Sequence, residues 1–115
     1  MTYYRSVDPT AQLSALADPT RRKVFELVRK HPRPVGALAE RLPISRPAVS
    51  QHLKVLSEAG LVRVSMEGTR RIYTVNPTGL ERLRRWIDAQ WDQVLDSFEE
   101  AAQQEAERKR EAGKS

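Results

Sequence analysis

The chain predicts a mainly α fold with a single β-hairpin, an α+β class ordered α-α-α-α-β-β-α. Three observations predict it. Apolar residues recur at helical spacing in five stretches. Helix starts are marked by Asp8-Pro9, by Asp18-Pro19 and by Ser45 ahead of Pro47. Only over 61–75 does the pattern change to β-branched runs around a glycine. At 115 residues and 39% apolar content, the length supports one domain with one modest core.

The first helix follows Asp8-Pro9 and carries Leu13, Leu16 and Ala17 at i, i+3, i+4. Pro19 interrupts it, because proline restricts the residue before it, and the second helix runs through RRKVFELVRK with Val24, Leu27 and Val28 inward and Phe25 on a flank. His31-Pro32-Arg33-Pro34 cannot continue a helix and reads as an extended linker with an exposed histidine. VGALAERL then forms a third helix of about two turns, ended by Pro43. Ile44 plugs the turn and Ser45 caps a fourth helix, 44–59, whose Val49, Leu53 and Leu56 form the apolar stripe and which Gly60 ends. LVRVSM and RIYTV, joined by EGT, make the hairpin over 61–75, with a register that the sequence leaves open.

Asn76-Pro77-Thr78 starts the last and longest helix. Leu80, Leu83, Ile87, Trp91, Val94, Phe98 and Ala101 lie within about 80° of arc, with Asp88, Asp92, Asp96 and Glu99 opposite. So long an apolar face exceeds what a small domain covers by itself, and a second copy of the chain is the simplest cover. The expected organisation is one domain over 1–104 and a charged, frayed tail over 105–115.

Charge is sorted along the chain. Residues 19–85 hold 15 of the 20 basic residues but 5 of the 15 acidic ones, a local +10, while 86–115 sum to −4 and the whole chain to +5. A basic body is the footprint of a polyanion-binding protein. There is no cysteine, which excludes disulfides, thiolate nucleophiles and cysteine-ligated metal. MTYYRSVDPT has no apolar leader core and no run reaches the ~18 to 20 apolar residues of a membrane span, so a soluble, cytoplasmic protein is expected. Two histidines, no phosphate-binding glycine loop and no convergent acid pair argue against an enzyme.

Two helices joined by a tight turn and followed by a two-stranded wing form a winged helix-turn-helix, whose second helix enters the major groove of DNA. With Val49, Leu53 and Leu56 turned to the core, Arg46, Pro47, Ser50, Gln51 and Lys54 face outward beside the cap Ser45. Arg pairs bidentately with guanine, Gln with adenine, and Ser with either, while Lys54 suits a phosphate. His52 lies beside the apolar stripe, where a packing role and a phosphate contact are both open. Arg63, Thr69, Arg70 and Arg71 surround the wing turn; they follow the DNA backbone or enter a minor groove, or else form a charged edge that blocks strand aggregation. Arg21, Arg22 and Lys23 sit in a first helical turn, the unfavourable end for cations, which hints at a nearby anion.

The runs ALADPTRR, PAVSQHLKVL and AGLV with the following GTRRIY resemble the ArsR/SmtB family of winged helix-turn-helix repressors, most closely its metal-independent branch, over about residues 10 to 95. The resemblance implies a homodimeric repressor on an inverted-repeat operator, with the first and last helices as dimer interface and the fourth as reader. Leu13, Leu16, Leu83, Ile87, Trp91, Val94 and Phe98 are the interface candidates. Metal sensors of the family carry a cysteine motif where this chain has PVGAL, and others use histidines on the last helix, which has none here. No metal or other cofactor is therefore expected, and the Asp88-Asp92-Asp96 ladder reads as a solvated face. The alternative is a winged helix used for protein or RNA contact without sequence-specific DNA readout.

Overall fold

The computed structural model describes residues 8–114. Its elements are α1 (Pro9–Ala17), α2 (Pro19–Lys30), α3 (Val35–Ala39), α4 (Arg46–Glu58), β1 (Val62–Glu67), β2 (Arg70–Val75) and α5 (Pro77–Ala112). The order is the expected one, and the backbone falls into two units, one up to Leu83 and one from Arg84 onward.

The caps act as their residue types dictate. Asp8 Oδ1 accepts the Thr10 N–H at 3.0 Å, Asp18 Oδ1 accepts those of Thr20 and Arg21 at 2.9 and 3.0 Å, and Ser45 Oγ accepts that of Ala48 at 3.3 Å. At the end of α4, Gly60 takes φ +73°, and the Leu61 and Gly60 amides donate to Leu56 and Ser57 at 2.9 and 3.0 Å, closing the helix in a Schellman motif. Asn76 caps α5 through its side chain to Gly79 N at 3.5 Å and through its carbonyl to Leu80 N at 3.1 Å.

The Asp18 cap ties stability to pH. The Arg21 amide is the largest influence on its carboxyl; partial desolvation, the next largest, opposes it, and the Thr20 amide, the Arg21 charge and His52 add to it, so that the carboxyl is held below the ordinary 3.8. A depressed carboxyl contributes stability in full above pH 3.8 and loses it as pH falls toward the folded-state value. Asp18→Asn keeps a cap but cannot titrate, so its acid-unfolding curve by circular dichroism is expected to fall less steeply below that pH. An acid limb identical to wild type would remove the carboxyl from the account.

The core is formed by Val24, Phe25 and Val28 of α2, Leu38 of α3, Val49, Leu53 and Leu56 of α4, with Ala15, Ala59, Leu61, Val62 and Leu83. Several details differ from the pattern. In α1 the buried residues are Gln12 and Ala15, whereas Leu13 is exposed and Leu16 half-buried. The Gln12 amide donates to the Gly79 carbonyl at 2.8 Å, a tertiary bond that outweighs the leucine spacing. Phe25 is inward and Leu27 half-buried, the reverse of the expected assignment, because α2 is contacted by α1, α3, α4 and β2 rather than along one stripe.

The third helix is five residues, not two turns. Arg41 and Leu42 donate to Leu38 and Ala39, three residues back, so the chain tightens out of α geometry as it approaches Pro43. The linker 31–34 is extended with His31 exposed, but it is also pinned: Arg33 exchanges N–H···O bonds with Tyr73 at 3.1 and 2.9 Å, a single bridge on the free edge of β2. Arg33 is thereby buried.

The hairpin is antiparallel, paired from Val62↔Val75 to Glu67↔Arg70, which leaves Gly68-Thr69 as a two-residue turn. Gly68 alone has positive φ, the pattern of a type II′ turn. Arg21 and Arg22 donate to the Ala15 and Leu16 carbonyls at 3.4 and 3.1 Å. The negative C-terminus of α1 thus supplies a partner for these two cations within the fold, which accounts for their place in the first turn of α2.

α5 runs unbroken for 36 residues, past Glu105, where fraying was expected. Residues 105–112 are mostly strong helix formers, and Arg108 lies 3.5 Å from Glu105 one turn back on an exposed face. Leu83 is buried in the core and so is not part of the exposed apolar face with which the sequence grouped it.

Candidate nucleic-acid interface

α4 divides cleanly. Val49, Leu53 and Leu56 are fully buried, whereas Arg46, Pro47, Ser50, Gln51 and Lys54 are exposed. Three and four residues separate the buried set, so one helical face holds the core and the opposite face is free. Ser45 is exposed and its oxygen is engaged as the cap, leaving its O–H as a donor. His52 is half-buried with Nδ1 enclosed and without a partner among the described residues, near enough to Asp18 to act on its charge. That is a packing position on the inner flank.

The wing meets this face in two clefts. Ser50, Lys54 and Ser57 of α4 line one, of about 720 Å³, with Arg63, Arg71 and Tyr73 of the hairpin. Arg46, Arg70 and Arg71 line the other, of about 550 Å³, with Pro34, Gly36 and Glu40. Gln51 and Thr69 are exposed and belong to neither. The predicted cations Arg46, Lys54, Arg63, Arg70 and Arg71 are all exposed, and none lies within ion-pair distance of a carboxylate among the described residues. Their charge faces solvent uncompensated. Sequence reasoning omitted Ser57, one turn beyond Lys54 on the same face, and Gly36, whose contact with Arg46 is tertiary.

A second surface lies on α5. Ile87, Trp91, Val94 and Phe98 are 48, 60, 43 and 70% exposed. Trp86 and Leu95, which the sequence reading left out, widen the stripe at 40 and 47%, and Leu13 of α1 is 42% exposed. Among the described residues no three His, Cys, Asp or Glu side chains gather as a metal site would require, and no helix is long and apolar enough to cross a membrane.

Residues 16–65 match a helix-turn-helix domain family. HTH-type transcriptional regulator Rv2034 of Mycobacterium tuberculosis is 51% identical over 98 residues, spanning 85% of this chain and 90% of that protein. The transcriptional repressor SdpR of Bacillus subtilis is 34% identical over 73 residues, spanning 64% and 81%. Among solved structures, an ArsR-like transcriptional regulator from Rhodococcus sp. RHA1 superposes with TM-score 0.68 at 30% identity, covering 82% of this chain and 92% of that one. A homodimeric winged helix-turn-helix DNA-binding domain from Mycobacterium bovis superposes with TM-score 0.59 at 26% identity, covering 80% and 88%. The buried stripe of α4, its free polar face, the arginine-bearing hairpin and these likenesses agree: the chain belongs to the ArsR/SmtB family of winged helix-turn-helix transcriptional regulators.

Proposed function

We propose that this DNA-binding regulator acts as a homodimeric repressor on an inverted-repeat operator, with α4 in the major groove and the wing on the flanking backbone. One observation carries the reading: the free face of α4 and the hairpin arginines line shared clefts in which no cation forms an ion pair among the described residues. Ser50 and Gln51 are the base readers, since their short polar side chains project from the middle of the exposed face. Lys54, Arg63, Thr69, Arg70 and Arg71 hold phosphates and sugars. Dimerisation uses Leu13 and Leu16 of α1 with Ile87, Trp91, Val94 and Phe98 of α5, and residues 1–104 supply both activities.

Repression is relieved without a metal. The chain has no cysteine, α5 has no histidine, and Pro34 and Gly36 stand where the family's sensors place ligands. Its work is binding rather than catalysis, at an operator in the cytoplasm. Half-sites should lie about one helical turn apart.

The experiment is anisotropy on a duplex that the wild-type protein selects from a random pool, against a scrambled duplex at about 150 to 200 mM salt, where non-specific binding is weak. The double variant Ser50→Ala/Gln51→Ala is expected to lose about 2 to 4 kcal/mol on the selected duplex and little on the scrambled one. Equal wild-type affinity for both duplexes would sink specific repression, and undiminished discrimination in the variant would remove these two residues as readers.

A further inference from the structure

Arg46 departs from the simple division of α4 into a buried and a reading face. It is the first residue of the helix, and its guanidinium lies back over α3: a Cβ built on Gly36 would sit 2.9 Å from Arg46 Nη2 and 3.4 Å from Cζ. Only the missing side chain at Gly36 lets the guanidinium rest there. The position also brings Arg46 into one cleft with Arg70 and Arg71. Of the charged residues lining that cleft three are arginines and one, Glu40, is acidic; Glu67 is the cross-strand partner of Arg70, and none of the three arginines forms an ion pair among the described residues.

We propose that Arg46 is a clamp for a backbone phosphodiester of the bound DNA, positioned by Gly36, and not a base reader. This rests on the DNA-binding reading above. In a helix-turn-helix the first helix of the pair crosses the phosphate backbone while the second enters the groove, so a guanidinium lying on α3 stands at the level of the phosphates. Mutually repelling guanidiniums with free N–H forks match a tetrahedral oxyanion, which accepts several charge-assisted bonds and removes the repulsion. Base readout needs the opposite disposition, a side chain extended along the groove floor. Arg46 therefore contributes affinity without sequence preference, while the wing tip and the start of α4 close on the same phosphate.

The test compares Arg46→Ala and Gly36→Leu with wild type on the selected and the scrambled duplex, across about 50 to 300 mM salt. Arg46→Ala is expected to weaken both duplexes by the same factor, about tenfold, and to reduce the slope of log affinity against log salt by about 0.9. Gly36→Leu should show the same uniform loss with Arg46 still present and thermal unfolding undiminished. Gly36→Ala, which displaces only the flexible end of Arg46, should show a smaller shift in the same direction.

Loss on the selected duplex alone would make Arg46 a base reader, and unchanged affinity in both Gly36 variants would overturn the positioning. Inorganic phosphate at matched ionic strength is expected to leave DNA binding unchanged. Selective competition that vanishes in Arg46→Ala would assign the cleft to a free anion instead. Wild-type protein that retains no duplex at all would defeat the DNA-binding reading itself, an outcome separate from these.

Discussion

Replacing Trp91 by glutamate is expected to give monomers at micromolar concentration by sedimentation velocity, with helix content and thermal unfolding of the DNA-binding unit unchanged. The indole is 60% exposed and lies outside the core, so the substitution removes nothing that holds α1 to β2 in place. It does place a charge in the middle of a stripe running from Trp86 to Phe98, where burial against a second copy would demand its desolvation. Affinity for a two-half-site duplex should fall about a hundredfold or more, because two linked domains no longer share one binding event. Affinity for a single half-site should stay the same. Wild-type protein that sediments as a monomer, or a variant that dimerises like wild type, would end the argument for this interface. Leu83→Glu is the contrasting case: at 5% exposure it should unfold the protein rather than dissociate it.

Gly79→Ala is expected to destabilise by about 3 kcal/mol or more, a large value for one methyl group. A Cβ at Gly79 would overlap the Gly60 carbonyl oxygen, a backbone atom, and the Cβ itself is fixed to the backbone, so neither can rotate away. Gly79 also offers its carbonyl to Gln12, so a displacement would break the bond joining α1 to the start of α5. Thermal unfolding should move down by about 4 to 8 °C for each kcal/mol in a unit of this size. A variant within about 1 kcal/mol of wild type would mean that the α4–β1 junction gives way more easily than close packing allows.

Much of the local structure is legible because it is decided by neighbours in the chain. Asp8, Asp18 and Ser45 cap the helices that follow them, prolines open those helices, Gly60 closes α4 and Gly68 turns the hairpin. Each needs only the unsatisfied donors of a first turn or a positive φ, and each is visible within four residues. The stripe Val49, Leu53, Leu56 is of the same kind, since period 3.6 decides which side of a helix is apolar.

Other features required the packed chain. Which side of α1 faces inward turned on Gln12 and Gly79, 67 residues apart, and not on the leucines. Leu83 and Ile87 look alike on a wheel, yet one closes the core and the other is 48% exposed, because helical periodicity carries no information about where cover ends along the axis. Arg33 reads as linker until β2 provides an edge for it, and Arg21 and Arg22 have no partner legible in the sequence until the end of α1 lies beside them.

By itself, then, the amino-acid sequence determined the order of the elements, their caps, the buried stripe of α4 and the basic middle of the chain, all consequences of short-range sterics, hydrogen bonding and periodicity. The tertiary structure alone decided which apolar residues remain uncovered and where Arg46 points. Both depend on surfaces that distant segments meet only after folding, and the small residues that permit those meetings, Gly36 and Gly79, act through the side chains they lack.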